Sequence, residues 1–327
     1  MYKVLIPEEI DHAGWDYLEE RGYQVIEGSG YDTETIKREI VDVDAVLARG
    51  ADYTRDVIAA GKKLKVIARH GVGVEHIDSK AAEEMGVQVA NVLCANSNAV
   101  AEHTLMLMLM LAKYVPIFKN CIPQGQWDLR NRYLTHELQG KTLGIIGVGA
   151  VGIRTAKKAH YGLDMKILGY DPYIDYTKMP DYVEGLHSLE ELFERSDVVT
   201  IHCPLNEETR YMVTPTLLEK LGPKGYLINC ARGGIVGEKD LYEALKNHVI
   251  AAAAVDSYET EPPSPDLPLF SLDNFWGTPH HAGLSKKASM ACATGAAKAI
   301  DDVLHGREPQ YPVNHPQKKK KTEDVLT

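Results

Sequence analysis

Short apolar runs alternate with amphipathic stretches from the first residues onward. Lys3-Val4-Leu5-Ile6 reads as a strand, and Ala13 to Arg21 as a helix closed by Gly22. Gln24-Val25-Ile26, Ala45-Val46-Leu47-Ala48, Lys65-Val66-Ile67-Ala68 and Val87-Gln88-Val89-Ala90 follow as strands. Strands separated by helical stretches predict a parallel sheet covered on both faces, so residues 1 to about 95 read as one α/β domain. Asn98 to Tyr114 is a helix apolar on nearly every face after Glu102 and His103, and Pro116 discourages its continuation. The Met106, Met108, Met110 alternation within it reads better as a buried helix at a domain or subunit interface than as a cofactor box.

A second alternating series runs from Thr142 to about His281. Its strands are Leu143 to Gly147, Lys166 to Tyr170, Val198 to His202, Tyr226 to Asn229 and Ala251 to Val255. Its helices are Ile153 to His160, Leu189 to Arg195, Leu217 to Leu221 and Lys239 to Asn247. The Pro-rich stretch Glu261 to Pro268 forms an extended loop, and a long Ala-rich helix spans roughly Lys286 to Leu304. The Lys318-Lys319-Lys320-Lys321 run reads as a frayed, solvated tail.

Composition narrows the class. Hydrophobic residues at 44% and charged residues at 25% describe a globular chain rather than a disordered one. A net charge of -10 weighs against nucleic acid as a partner, because phosphates demand Lys and Arg. The five cysteines are scattered without a Cys-x-x-Cys pair, so free, mostly buried thiols are expected and no metal site is read. The N-terminus does not resemble a secretory leader, and the longest apolar run, Leu105 to Ala112, is too short to span a bilayer. The cytoplasm is therefore the default location, without a membrane partner.

The most specific local signal is Gly147-Val148-Gly149-Ala150-Val151-Gly152, directly behind an apolar strand and opening a helix. In that context Gly147 permits the tight turn, Gly149 lets the backbone approach a pyrophosphate, and Gly152 allows the helix to lie close to the strand. The amides of the helix start, Ala150 and Val151 among them, then face the phosphates. Asp171 stands 19 positions past Gly152, where a carboxylate accepts the ribose hydroxyls and repels a 2'-phosphate. The nearest base after it, Lys178, is seven positions on, so NAD is expected over NADP.

Candidate chemistry lies at the ends of the later strands. Arg232, in Asn229-Cys230-Ala231-Arg232-Gly233, can grip a carboxylate at two points. Glu261 precedes Pro262, which restricts its backbone, and His280 follows Pro279. An imidazole paired with a carboxylate keeps its proton to higher pH and can serve a carbonyl oxygen as an acid. Taken singly, each of these residues has an ordinary structural reading as well.

Together the segments resemble the D-isomer-specific 2-hydroxyacid dehydrogenase family over about residues 1 to 315. The matching pieces are Ala68 to Asp78, Asn98 to His103, the glycine turn, His202-Cys203-Pro204-Leu205 with Glu208-Thr209, Asn229 to Gly233, Asp256 with Glu261-Pro262, and Pro279-His280. The resemblance implies a hydride exchange between NAD(H) and C2 of a small D-2-hydroxy or 2-keto acid. In it Arg232 orients the carboxylate and carbonyl, His280 exchanges the proton and Glu261 supports His280. It implies that Asp256 meets the nicotinamide carboxamide. Pro172, Cys203, Pro204, Thr209, Cys230, Ala231 and Ala282 would line the cofactor beside the glycine turn and Asp171. Backbone amides around His70, Gly71, Val72 and Gly73 would hold the substrate carboxylate.

The implied architecture is α/β, with two doubly wound parallel-sheet domains. A Rossmann domain, 97–283, is inserted into a flavodoxin-like substrate domain formed by 1–96 and 284–315, with 316–327 as a tail. A homodimer through the inserted domain is implied too. Two departures stand out: His281 follows His280, and His70 occupies a position where related sequences more often carry a small or aromatic residue. His70 reads equally as a donor to a polar substrate tail or as a wall filler.

Arg49 and Arg69 resemble positions that hold anionic substrate in phosphoglycerate dehydrogenases, so 3-phosphoglycerate or a glycerate- or hydroxypyruvate-like acid is expected. The chain stops soon after its closing helix, so no appended regulatory domain is expected. An NAD(H)-sensing corepressor and a formate dehydrogenase are the rival readings of the same motifs.

Overall fold

The computed structural model describes residues 1–316, so the Lys318–Lys321 run lies outside the described residues, as does the expected tail beyond Pro316. The chain divides into two compact units, Met1–Asn96 with the described residues from Leu284 onward, and Ser97–Gly283.

In the first unit the apolar runs form β1 (Lys3–Ile6), β2 (Gln24–Glu27), β3 (Ala45–Ala48), β4 (Val66–Arg69) and β5 (Gln88–Ala90). They pair in parallel in the order β2-β1-β3-β4-β5. This is the flavodoxin-like doubly wound order. Every residue of β3 is buried, as expected where helices cover both faces of a sheet. One covering layer joins two helices distant in sequence, His12–Glu19 and Lys286–Leu304. Small residues let them approach: a Cβ on Gly14 would lie 3.0 Å from the Cβ of Ala293. Asp11 and Ser285 cap the two helices through bonds to the amides of Ala13 and Ala288.

The second unit carries β6 (Thr142–Ile146), β7 (Lys166–Tyr170), β8 (Val183–Leu186), β9 (Val198–Ile201), β10 (Tyr226–Asn229), β11 (Ala252–Val255) and β12 (Phe275–Gly277). All neighbours are parallel, in the order β12-β11-β10-β9-β6-β7-β8. The chain reverses direction across the sheet between β6 and β9. Such a switch point is where open α/β sheets bind ligands, beyond the carboxyl ends of the strands.

Several details differ from the sequence reading. β8 and β12 carry no strand-like apolar run: Gly185 interrupts the first, and the second is three residues long. Gly185 is there because a Cβ would fall 2.3 Å from the ring of Tyr176. The apolar helix runs Ser97–Ala112, ending before Tyr114, which takes a left-handed φ of 52°. A short helix, Val115–Phe118, then places Pro116 in its first turn, where no amide hydrogen is needed. Of the three methionines Met108 is buried, whereas Met106 is exposed. The thiols are free, yet of the five only Cys230 and Cys292 are buried. Among the described residues no helix is long and apolar enough to cross a membrane.

Candidate active site

The glycine turn is shaped by close approach. Gly147 takes φ 85°, and a Cβ there would stand 2.7 Å from the Cys203 amide nitrogen. A Cβ on Gly152 would lie 2.2 Å from the Gly147 carbonyl oxygen, so turn and helix can only close on one another without side chains. At Gly149, which precedes the helix Ala150–Leu163, a Cβ would meet nothing within 4 Å. That open space before a helix start is what a pyrophosphate requires, so the residues present fit a dinucleotide.

Asp171, past the end of β7, accepts the Val148 amide on Oδ2 at 3.1 Å and the Tyr173 amide on Oδ1 at 3.1 Å. The Tyr176 hydroxyl holds this turn through the Asp171 amide and the Leu186 carbonyl, a brace the sequence did not reveal. Lys178 is turned to Asp175, 3.4 Å away, and Tyr173 donates to Glu208. The surroundings of Asp171 are therefore acidic, which suits ribose hydroxyls better than a phosphate.

Behind the turn, His202 is half-buried, with Nε2 3.1 Å from Thr200 Oγ1 and Nδ1 enclosed without a partner among the described residues. Burial pushes its pKa down to about 3, so the ring is neutral. Pro204 and Thr209 lie on the following loop. The Thr209 hydroxyl donates to the Pro204 carbonyl at 2.7 Å and so staples that loop internally. Cys230 directly follows β10, and its burial pushes the thiol up to about 12. Pro172 is exposed beside Asp171.

Three side chains with acid-base or anion-gripping chemistry belong to this second unit. Arg232 sits on a turn clamped by Asn229, whose Oδ1 accepts the Ala231 amide at 3.0 Å and whose Nδ2 donates to the Arg232 carbonyl at 2.9 Å. Its guanidinium donates to the Ala231 carbonyl at 2.9 Å. Glu261 and His280 are in contact, with Oε2 of the acid 2.7 Å from Nδ1 of the ring. The other carboxylate oxygen accepts the Tyr258 amide at 3.0 Å. Burial opposes the charge on Glu261, but the His280 bond, the Tyr258 amide and the Arg232 charge outweigh it. They hold the carboxyl below its ordinary value. The acid is thus ionised, so the proton between them rides on His280 Nδ1 and leaves Nε2 for chemistry. His280 has a left-handed φ of 48°, uncommon for a residue with a Cβ. His281 faces elsewhere, toward Asp256.

Asp256, beyond β11, is buried and densely bonded. Its oxygens accept the amides of His281 at 3.0 Å and Ala282 at 2.9 Å, and the Thr278 hydroxyl. His103, from the helix Ser97–Ala112, comes within 3.2 Å of that hydroxyl. His103 stood inside a recognised motif, but no spacing rule assigned it a partner.

The remaining candidates belong to the first unit. Arg49 donates from its guanidinium to the Glu9 carbonyl at 2.7 Å. The amides of Arg49, Gly50 and Ala51 all point at Glu8, at distances of 2.7 to 3.1 Å. Arg69 donates to the His70 carbonyl. His70 is buried with Nε2 3.2 Å from the Ser289 carbonyl. Burial, then the charges of Arg49 and Arg69, lowers its pKa, so it is a neutral donor to that carbonyl. Its geometry favours the wall-filler reading over a donor to substrate. The amides of His70 and Gly71 donate to Ala48 and Arg69 at 2.7 and 2.9 Å. Among the described residues no acceptor takes those of Val72 and Gly73.

A seven-stranded doubly wound sheet, an open glycine turn at its switch point and an acid on the next strand define the second unit as a dinucleotide-binding domain. Residues 105–282 match the family D-isomer specific 2-hydroxyacid dehydrogenase, NAD binding domain. The chain is 41% identical over 318 residues to the D-3-phosphoglycerate dehydrogenase of Methanocaldococcus jannaschii, covering 97% of this chain and 60% of that protein. It is 35% identical to the hydroxypyruvate reductase of Thermotoga maritima, covering 85% of this chain and 90% of that one. The fold is similar to a crystal structure of a Thermus thermophilus protein at TM-score 0.87 and 32% identity, covering 95% and 100% of the two chains. The chain belongs to the D-isomer specific 2-hydroxyacid dehydrogenase family and contains its NAD-binding domain. It spans about 60% of the length of the phosphoglycerate dehydrogenase relatives it matches.

Proposed function

We propose that this chain interconverts a small D-2-hydroxy acid and its 2-keto acid with NAD(H). The carrying observation is the Glu261–His280 contact at 2.7 Å beside the charge of Arg232. NAD, when bound, supplies the hydride acceptor or donor; the chain's residues do the rest. Arg232 grips the substrate carboxylate and polarises the carbonyl. His280 Nε2 delivers a proton to the carbonyl oxygen as C2 receives hydride, and takes it back in the oxidative direction. Glu261 balances the charge of the imidazolium throughout. Gly147, Gly149, Ala150, Val151 and Gly152 form the phosphate turn, and Asp171 takes the ribose hydroxyls. Pro172, Cys203, Pro204, Thr209, Cys230, Ala231, Asp256 and Ala282 line the cofactor.

In this reading Arg49, Arg69 and the loop from His70 to Gly73 take the substrate's remaining polar groups. The Val72 and Gly73 amides are the available donors for a carboxylate. Substrates with a second polar group, as in hydroxypyruvate or a phosphorylated analogue, follow from the two arginines. A homodimer through the inserted domain is part of the proposal, supported by exposed apolar side chains at Met106, Val115, Ile122, Trp127 and Leu134. We also place the chain in the cytoplasm.

The test is loss of NADH absorbance across glyoxylate, pyruvate, hydroxypyruvate and phosphohydroxypyruvate, repeated with NADPH and run in reverse with formate. Turnover of 2-keto acids with NADH in clear preference to NADPH is expected. Tight NADH binding without turnover, or activity on formate alone, would overturn the assignment.

A further inference from the structure

His103, Asp256 and His281 converge from three separate pieces of the second unit: a helix, a strand end and the loop after Pro279. One ligand atom of each lies within 4.8 Å of the other two. His103 Nε2 and His281 Nδ1 both stand 3.7 Å from the same oxygen, Asp256 Oδ1. At that distance neither makes a hydrogen bond to it. Four-coordinate zinc, with bonds of about 2.0–2.2 Å, separates neighbouring ligand atoms by roughly 3.3–3.5 Å. The two 3.7 Å separations need only a small closure, and the imidazoles, with all three ligand atoms within 4.8 Å of one another, reach the spacing by turning toward the ion. The two rings meet edge to face, 4.8 Å apart at 83°, so their nitrogens can turn toward one point without stacking.

The chemistry of the donors agrees. Two imidazoles and a carboxylate form a site for first-row divalent ions, with a position left for water. Asp256 is already oriented by the amides of His281 and Ala282 and by the Thr278 hydroxyl, as metal-binding carboxylates commonly are. His103 Nε2 stands 3.2 Å from the Thr278 hydroxyl, which in turn donates to Asp256, so the ring already faces the carboxylate. To ligate, Nε2 exchanges its contact with the Thr278 hydroxyl for the ion, and the ring proton moves to Nδ1. His281 is half exposed, which provides an entry path.

We propose that His103, Asp256 and His281 bind a divalent transition-metal ion of the zinc class, and that this ion and NAD(H) exclude one another. The exclusion, unlike the site itself, rests on the reading that Asp256 meets the nicotinamide carboxamide, since the ion would take that carboxylate. Linkage then requires the cofactor to weaken the ion by the same factor that the ion weakens the cofactor. The site would make zinc a reversible inhibitor acting through cofactor affinity rather than through the substrate.

The experiment is titration of the cofactor-free protein with Co²⁺, read as visible absorption of the four-coordinate ion, with Zn²⁺ as competitor. One equivalent with an intense visible band is expected. It should be lost in His281→Ala and in His103→Gln, with circular dichroism confirming that each variant is folded. NAD at saturating concentration should bleach the band. Absence of the band in the folded wild-type protein, or a band unchanged in both variants, would overturn the site. A band that survives saturating NAD would overturn the exclusion. None of these readouts depends on turnover, so failure of the dehydrogenase assignment would be seen separately.

Discussion

Glu8 in the first unit and Glu261 in the second are both carboxylates that follow apolar segments, yet their surroundings set them to different work. Glu8 is met by three consecutive backbone amides and locks the loop that carries Arg49. Glu261 has one backbone amide and one imidazole. A carboxylate saturated by amides is a structural part; one that shares a proton donor is a reactive part. The arginines divide in the same way. Each leans on a carbonyl of its own unit, but the charge of Arg49 works against protonation of His70, whereas that of Arg232 favours the ionised Glu261. In the proposed function, acid-base chemistry thus falls to the second unit, while in the first Glu8 braces the loop that carries Arg49.

That division can be broken or sharpened by substitution. Arg232→Ala should lower kcat/KM for every 2-keto acid by about 10²- to 10³-fold, the scale of losing one partner of a desolvated charge pair. Arg49→Ala should instead penalise substrates with a charged tail and spare pyruvate. Equal losses across the series for both variants would erase the contrast. Glu8→Gln should leave the pH–rate profile in place but lower unfolding free energy by about 1–3 kcal/mol in urea, because charged acceptors of backbone amides are lost.

Glu261 should show itself in acid. Its folded pKa lies below the ordinary carboxylate value, so its contribution to stability is complete above that value and disappears as pH falls through the depressed one. The difference in urea midpoint between wild type and Glu261→Gln should therefore shrink as pH falls through and below the ordinary glutamate value of about 4.3. A constant difference would contradict the ionised pair.

The smallest effect concerns Tyr53, whose hydroxyl is buried without a partner among the described residues. Tyr53→Phe should leave stability unchanged or raise it by up to about 1 kcal/mol, since an unsatisfied polar group costs free energy. A loss larger than that would show that the hydroxyl is held.

Much of the fold is legible in the sequence, for identifiable reasons. The strands at Ala45 and Val198 announce themselves because both sheet faces are covered and every position but Thr200 is apolar. The glycine turn carries its own context of strand before and helix after. Glu261 and His280 each adjoin a proline inside a recognisable motif.

Other features left no local trace. Glu8 is an acid like many others until β1 and β3 pair and bring the amides of residues 49–51 to it. His103 and Asp256 meet only once the helix packs on β10 and β11. Tyr176 closes the Asp171 turn from five residues away, with no motif to mark it. β8 was hidden because its Gly185 serves the ring of Tyr176 rather than the apolar pattern.

The central claim is that His280, with its Nδ1 proton held by Glu261, exchanges the substrate proton. Its most direct test is kcat of His280→Ala with the best 2-keto acid, alongside NADH affinity by fluorescence. A fall of about 10²- to 10⁴-fold in kcat with NADH affinity retained is the predicted result. Near-normal turnover in a variant that still binds NADH would contradict it.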